Sequence, residues 1–197
     1  MRNVWILFLF IFSLSYAENS AKSWLENKIK TSSGIQADFI QKTYQTDSKN
    51  PEIFSGTLIA SKPFNIKVDY SKPFEQILFI TKEKTVLYTP SENQAIVSKK
   101  DIDNFIEDLV SIFIQDKSLK TVFDILEDTQ SKLTLKPKNN TQIKQIDIYI
   151  QNNTLRTVKA VDTENNRVEI EFKTFKFLTQ KPKIELNLPS NAKIINY

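Results

Sequence analysis

Several stretches of this chain alternate strictly between apolar and polar residues, and this alternation constrains the fold more than any other feature. It is clearest in the segments 64–70, 146–150 and 168–172. The apolar positions are Phe64, Ile66, Val68, Tyr70, Ile146, Ile148, Ile150, Val168, Ile170 and Phe172. Because successive side chains of a β-strand point to opposite faces, a period of two predicts strands with one buried face. We therefore expect a large, curved antiparallel sheet with one apolar face.

Asn-Asn pairs mark the turns between the strands of the C-terminal half. They stand at 139–140, 152–153 and 165–166, a spacing of 13 residues. Asn accepts a positive φ and is favoured in hairpin turns, so the pairs predict a meander of antiparallel strands. The apolar positions change parity between Phe172 and Phe175, which predicts a bulge or bend there. Strands are also predicted at 35–40, 53–60, 74–81, 84–89, 93–98, from about 131, and at 183–188.

Three segments follow a helical period instead of the strand period. An N-terminal helix is predicted over 20–32, with Ser20 or Asn19 as its cap. A second helix is predicted over 101–115 and a third over 119–126, each with apolar residues along one side. Two interpretations of these amphipathic helices stay open. They either complete an ordinary core, or they form a lid over a concave sheet and leave a cavity for an apolar ligand.

The start of the chain predicts export. Arg2 precedes an unbroken apolar run over 4–12, and Ala17 ends a motif of the kind that a signal peptidase cleaves. The run is shorter than the roughly 20 apolar residues that span a bilayer. We expect a signal peptide over 1–17 and a single domain over 18–197. Because no cysteine follows the run for lipid attachment, we expect a soluble protein of the bacterial periplasm.

The composition excludes most catalytic designs. The chain has no cysteine, no histidine and only two glycines. A thiolate nucleophile, an imidazole base, a Cys/His zinc site and a glycine-rich phosphate loop are therefore excluded. The formal net charge of +4 is spread along the chain, which does not indicate nucleic-acid binding.

Carboxylates are the remaining candidates for chemistry. Glu169 and Glu171 share one face of a predicted strand, but the opposite face of that strand is apolar, which indicates a solvated outer surface. The four acidic residues within 101–108 have no loop of EF-hand spacing around them and indicate a charged helix face. We predict no catalytic residue, no metal site and no cofactor, and therefore a binding protein.

A series of short motifs follows in a fixed order through the chain. The segment 35–41 reads IQADFIQ, the segment 56–58 reads GTL, and Lys62-Pro63 comes shortly after it. An apolar and aromatic row then occupies 66–70, and LNLP closes the series at 186–189. Together these motifs resemble the LolA family of periplasmic lipoprotein carriers, and the resemblance covers most of residues 20–195.

The resemblance implies an incomplete antiparallel β-barrel, with an N-terminal helix and a helical lid over an apolar cavity. The helices at 101–115 and 119–126 match the lid. The residues implied to bind acyl chains are Ile66, Val68, Tyr70, Phe105, Leu109 and Phe113. Lys62 stands where the family has an arginine that couples the lid to loading, and lysine lacks the planar fork of donors that arginine offers.

The function implied by the resemblance is that of a periplasmic chaperone. Such a protein takes triacylated lipoproteins from an ATP-driven transporter of the inner membrane to a receptor in the outer membrane. We expect a monomer that uses no cofactor. The receptor of such a system shares the fold but is itself a lipoprotein, and the lack of cysteine argues against that assignment. The competing hypothesis is a periplasmic binding or sensor module of the same fold, also non-enzymatic, for another lipid or lipoprotein ligand.

Overall fold

The structure is a computed structural model that describes residues 20–99, 105–139 and 142–197. The predicted signal peptide lies outside the described residues, as does the beginning of the second predicted helix. The proposed division into residues 1–17 and one domain over 18–197 stays a prediction.

Twelve strands form one sheet in the described part of the chain. They are β1 Gly34–Tyr44, β2 Glu52–Ser61, β3 Asn65–Lys72, β4 Gln76–Ile80, β5 Lys84–Thr89, β6 Gln94–Lys99, β7 Phe123–Asp128, β8 Lys132–Pro137, β9 Ile143–Gln151, β10 Thr154–Asp162, β11 Arg167–Leu178 and β12 Lys193–Asn196. The order across the sheet is β12-β6-β5-β4-β3-β2-β1-β11-β10-β9-β8-β7. All neighbours are antiparallel except β12, which runs parallel to β6. The sheet is curled and does not close, because β12 and β7 are its two edges. The predicted fold class is confirmed.

Three α-helices accompany the sheet in the described residues. They are α1 Ala21–Thr31, α2 Phe105–Ile114 and α3 Leu119–Val122. Ser20 caps α1 as predicted, since its side chain accepts a hydrogen bond from the Ser23 backbone N–H at 3.2 Å. The apolar face of α1 is buried, and the Ala21 backbone N–H donates to the Thr129 carbonyl at 2.7 Å. This bond ties α1 to the turn between β7 and β8.

The structure confirms a predicted hairpin turn and a predicted strand bulge. Asn152 and Asn153 both have positive φ, 51° and 57°, and they form the two-residue turn that joins β9 to β10. Along β11, Phe172 lies opposite Phe39 whereas Thr174 lies opposite the preceding residue of β1. One residue of β11 is therefore extra, which is the bulge that the change of parity predicts.

The helix predicted over 119–126 is wrong beyond its first turn. The helix α3 ends at Val122, and Phe123–Asp128 is the edge strand β7, paired with β8. The apolar spacing in this short stretch suits a helix as well as a bulged strand, and β8 offers an open ladder of backbone partners. A bulge between Ile125 and Glu127 then leaves Leu126 exposed.

The strand predicted over 183–188 is also wrong. This segment is not part of a ladder, and Leu186 and Leu188 pack on a small apolar cluster on the outer face of β4, β5 and β6. An extended segment that lies across a sheet buries every second side chain without any partner strand, so alternation alone does not distinguish the two cases. The C-terminal strand is instead β12, after this segment.

Candidate functional site: an apolar cavity under a helix

The helix α2 covers part of the concave face of the sheet. Its residues Leu109, Val110 and Phe113 are 3%, 5% and 3% exposed, and they face the strands β1 and β2. Between the helix and the sheet a cavity of about 30 Å³ remains, which is room for one or two water molecules. The cavity is lined by Phe39, Gln41, Leu58, Val68, Tyr70, Ile106, Leu109, Val110, Phe113, Val158, Ile170, Phe172 and Phe175. The helix therefore nearly fills the concavity.

A chain of aromatic rings connects α2 to the sheet. The Phe113 ring lies 5.7 Å from the Phe175 ring, and the Phe172 and Phe175 rings are 4.9 Å apart, all edge-to-face. In a regular strand, residues three apart point to opposite faces. The bulge in β11 is what brings both Phe172 and Phe175 to the concave face, so a local irregularity of one strand builds this side of the cavity.

A glycine lies between two further aromatic residues of the concave face. Gly56 lies opposite Phe39 on β1 and opposite Tyr70 on β3. A Cβ atom at Gly56 would collide with the Asp69 carbonyl oxygen. The rings of Phe39 and Tyr70 lie edge-to-face at 5.9 Å, next to this position without a side chain.

The cavity has two polar members, Tyr70 and Gln41. Burial raises the pKa of Tyr70 to about 12, so its hydroxyl is neutral at physiological pH. Gln41 is 9% exposed, and its side-chain amide N–H donates to the Thr43 hydroxyl at 3.2 Å. Its carbonyl oxygen is buried and has no partner among the described residues.

An open polar cleft adjoins the cavity. Gln41 and Ile106 line both, and the cleft encloses about 730 Å³. Its other lining residues are Thr43, Gln45, Thr46, Asp47, Phe105, Gln142, Asp162, Glu164, Asn166 and Val168. Apolar and polar surroundings thus meet at Gln41.

The structure brings together four of the six predicted cavity residues. Val68, Tyr70, Leu109 and Phe113 line the cavity. Ile66 is fully buried in the same core but outside the lining, and Phe105 faces the polar cleft. The remaining lining residues were not predicted as cavity residues, although Ile170, Phe172 and Phe175 lie at predicted apolar strand positions. Phe172 and Phe175 could have been found from the change of parity, and Phe39 and Gln41 from the alternation that begins at Ile35.

Lys62 contacts two elements at the far end of α2. Its ammonium group donates to the Ile29 carbonyl of α1 at 2.7 Å and to the carboxylate of Asp116, which lies two residues after α2. The Lys62 side chain is 15% exposed, whereas the Asp116 side chain is 71% exposed. The predicted coupling residue therefore joins the end of α1 to the segment that follows α2.

Glu26 of α1 makes a second connection to the same segment. Its carboxylate accepts hydrogen bonds at 3.1 Å from the Ser118 hydroxyl and from the Leu119 backbone N–H, at the start of α3. Partial burial raises the pKa of Glu26, but hydrogen bonds, led by the one from Lys22, outweigh it and hold the pKa below its usual value. The segment between α2 and α3 is thus held by polar side chains of its neighbours.

The carboxylates considered for catalysis lie on the outer face as expected. Glu169 pairs with Lys159 at 2.9 Å, and Glu171 pairs with Lys42 at 3.1 Å. Within the described ranges no group of three or more acidic residues is placed to hold a metal ion. Among the described helices none is both long enough and apolar enough to cross a membrane.

The fold and the site together define an unclosed β-barrel with a helix over an apolar cavity. Residues 30–184 match the family model described as "Outer membrane lipoprotein carrier protein LolA". The chain belongs to the LolA family, which confirms the resemblance and the expectation of a non-enzymatic carrier protein.

Individual relatives agree with this assignment. The chain is 26% identical over 201 residues to an outer-membrane lipoprotein carrier protein of Francisella tularensis subsp. tularensis, covering all of this chain and 98% of the relative. It is 27% identical over 177 residues to a protein of the same name from Pasteurella multocida, covering 81% of this chain and 77% of the relative. A solved structure of an uncharacterized conserved protein from Thermus thermophilus has the same fold, with a TM-score of 0.53 at 12% identity, covering 88% of this chain and 97% of that one.

Proposed function

We propose that this protein is a periplasmic chaperone for lipoproteins and that α2 is the lid of its binding cavity. The observation that carries the proposal is the apolar concave face that one amphipathic helix covers, with a cavity of only about 30 Å³ left over. A cavity of that size holds no acyl chain. The binding surface therefore exists only when α2 moves away and an acyl chain takes its place against the sheet.

The physical chemistry of the cargo explains this design. Burial of an acyl chain is worth about 0.8 kcal/mol per CH₂, and two lipid anchors already hold a protein stably on a membrane. A carrier must therefore offer an apolar surface of comparable strength. It must also cover that surface when empty, because a large exposed apolar patch leads to aggregation or to membrane binding. A helix whose apolar side can pack on the sheet or turn away from it meets both demands.

The proposed acyl contacts are the residues that the sequence predicts. Val68 and Tyr70 present the sheet side of the cavity, and Leu109 and Phe113 present the lid side. Ile66 and Phe105 join them when the displacement of α2 extends the cavity along β3 and towards the polar cleft. Lys62 influences the lid through the segment after α2, which it holds through Asp116.

The proposed cycle needs two partners and no covalent step. An ATP-driven transporter of the inner membrane loads triacylated lipoproteins, and an outer-membrane receptor that binds the acyl chains more tightly unloads them. The protein itself is exported by the predicted signal peptide over 1–17 and works as a monomer. This cycle uses no group that the chain lacks, since it requires neither nucleophile nor base.

A release assay tests the proposal. The mature chain, residues 18–197, is added to inner-membrane vesicles that contain the transporter, a labelled lipoprotein and ATP. We expect the lipoprotein to appear in the soluble fraction as a one-to-one complex with this protein. If a known carrier releases the lipoprotein in parallel and this folded protein does not, the proposal is wrong, and a sensor or carrier of another lipid becomes the better assignment.

A further inference from the structure

Gln41 is a buried polar side chain at the boundary between two environments. It lies on the concave face of β1, opposite Phe54 on one side and Ile170 on the other. It is 9% exposed, and its amide nitrogen is bonded to Thr43 while its carbonyl oxygen has no partner among the described residues. A buried acceptor without a donor is unfavourable, so its presence in an apolar cavity calls for a donor from a ligand.

The change from apolar to polar surroundings at Gln41 matches the change from acyl chains to polypeptide at a lipidated protein terminus. On one side is the apolar cavity, and on the other is the open cleft with hydroxyl, amide and carboxylate groups such as Thr43, Gln45 and Asp162. In a triacylated N-terminal cysteine, the acyl chains come first, then the ester and amide linkages, then the polypeptide. Gln41 therefore lies where the linkages of a bound lipoprotein pass.

The amide and ester linkages of the acyl chains differ in whether they can donate a hydrogen bond to Gln41. The acyl chain on the cysteine nitrogen is attached by an amide, whose N–H is a donor. The other two chains are attached by esters, which have only acceptors. A glycerolipid has ester linkages and no amide N–H at this junction, so it would leave the Gln41 oxygen unpaired.

We propose that the carbonyl oxygen of Gln41 accepts a hydrogen bond from the amide N–H of the acylated cysteine, and that the polypeptide leaves through the polar cleft. This inference rests on the proposed carrier function and adds a residue that determines specificity. Acyl chains supply the binding energy, which any lipid with similar chains would share. The buried carbonyl oxygen of Gln41 favours lipoproteins over diacyl lipids, because a site built for a hydrogen bond rejects a ligand that lacks the donor.

Two matched lipopeptides test the proposal. One is a triacylated cysteinyl peptide with its amide N–H intact, and the other has that amide N-methylated, so that the two differ at the one proposed contact. The mature chain should bind the first about tenfold more tightly, the equivalent of about one hydrogen bond made or lost. Gln41→Leu should bind both with equal affinity, and the matched control Gln145→Leu, which changes a glutamine of the outer face of β9, should keep the tenfold preference.

The possible outcomes separate this proposal from the function on which it rests. A wild-type protein that binds both lipopeptides equally, or a Gln41→Leu variant that keeps the preference, overturns the role of Gln41 and leaves the carrier function intact. Failure of the wild-type protein to bind either lipopeptide overturns both. Folding is checked by the melting temperature, and Gln41→Met serves as a second variant if Gln41→Leu does not fold.

Discussion

Two apolar surfaces of this sheet are covered by segments of the chain, and the two covers differ in how they are held. One is α2 on the concave face. The other is the C-terminal segment 186–192, which lies over the outer face of β4, β5 and β6 and continues into the edge strand β12. Both bury leucine or phenylalanine side chains against the sheet, so composition does not separate them.

The C-terminal cover is held by backbone hydrogen bonds as well as by apolar contact. Its strand β12 pairs with β6, and at its ends the Lys193 N–H donates to the Asn93 carbonyl and the Tyr197 N–H to the Val97 carbonyl, both at 2.9 Å. Asn93 adds a side-chain bond to the Asn191 carbonyl at 3.0 Å. Removing this cover would break the ladder between β12 and β6 as well as the apolar contacts.

Except at its ends, the backbone hydrogen bonds of α2 are made within the helix. Leu109, Val110 and Phe113 meet the sheet through their side chains, and a small cavity persists beside them. Moving this helix away breaks no sheet ladder, and its main cost is apolar burial, which an acyl chain restores. A covering segment can act as a lid when it loses only apolar contacts on opening, because the acyl chains of the ligand supply contacts of the same kind.

The largest expected effect on lipopeptide binding is that of a charge on the lid face. Leu109→Glu removes about 2 kcal/mol of acyl burial, which corresponds to about 30-fold weaker binding of a triacylated lipopeptide. The melting temperature should fall by only a few degrees, because α2 can leave the sheet and take the carboxylate into water. Titration with the lipopeptide and a thermal melt measure the two effects.

The matched control for this variant is Leu126→Glu, at a position that is 56% exposed on the edge strand β7. It should change neither the binding nor the melting temperature appreciably. Unchanged lipopeptide binding and melting temperature in Leu109→Glu would show that α2 is not the lid.

The second effect is a loss of stability when the C-terminal cover is weakened. The double variant Leu186→Ala, Leu188→Ala removes two half-buried side chains from the outer cluster, at a cost of about 3 kcal/mol in the free energy of unfolding, or about 6–12 °C in melting temperature. Lipopeptide binding by the folded protein should not change, because the cluster lies on the opposite face from the cavity. Binding that weakens together with stability would show that both covers act on the cavity. Leu126→Ala is the control for loss of an exposed leucine.

A smaller effect is expected from the link between Lys62 and the lid. Lys62→Ala releases the segment after α2, so the lid opens more readily and lipopeptide affinity rises about two- to threefold. The change is small because Asp116 is 71% exposed and solvent screens the pair to well under 1 kcal/mol. The difference should shrink further at high salt. Affinity that is identical in Lys62→Ala and wild type at low salt would remove Lys62 from the coupling.

The smallest effect is a pH dependence of the anchor of α3. The pKa of Glu26 is lower in the folded protein than in the unfolded chain, so its contribution to stability is present above the unfolded pKa and is lost as the pH falls through the folded pKa. Glu26→Gln should lower the melting temperature by one or two degrees at pH 7, and the difference from wild type should shrink as the pH falls through the lowered pKa of Glu26. A difference that stays constant with pH would mean that the charge of Glu26 does not contribute.

Much of this architecture follows from sequence pattern. The alternation in 64–70 and 168–172, the turn at Asn152 and the parity change before Phe175 all report local geometry, and the structure confirms each. Such features depend on neighbouring residues alone, which is why a single sequence reveals them.

The parts that pattern did not predict depend on distant partners. Phe123–Asp128 becomes a strand because β8 is beside it, and 183–188 does not because it lies on a face instead of an edge. The unpaired oxygen of Gln41 is likewise a property of the assembled cavity, since it depends on the residues that other elements place around this side chain. Alternation correctly predicts that Ile66 is buried, but it does not predict whether a buried residue lines the cavity, and Ile66 does not.

The most direct test of the central claim is a distance measurement on both covers, made with and without a triacylated lipopeptide. Because the chain has no native cysteine, spin labels can be placed at Ser111→Cys and Lys176→Cys for the lid and at Ser190→Cys and Lys84→Cys for the C-terminal cover. Pulsed electron paramagnetic resonance should show the lid pair shifting by about 5 Å or more, the radius of a helix, while the second pair stays unchanged. A lid distance that does not change at saturating lipopeptide would contradict the account.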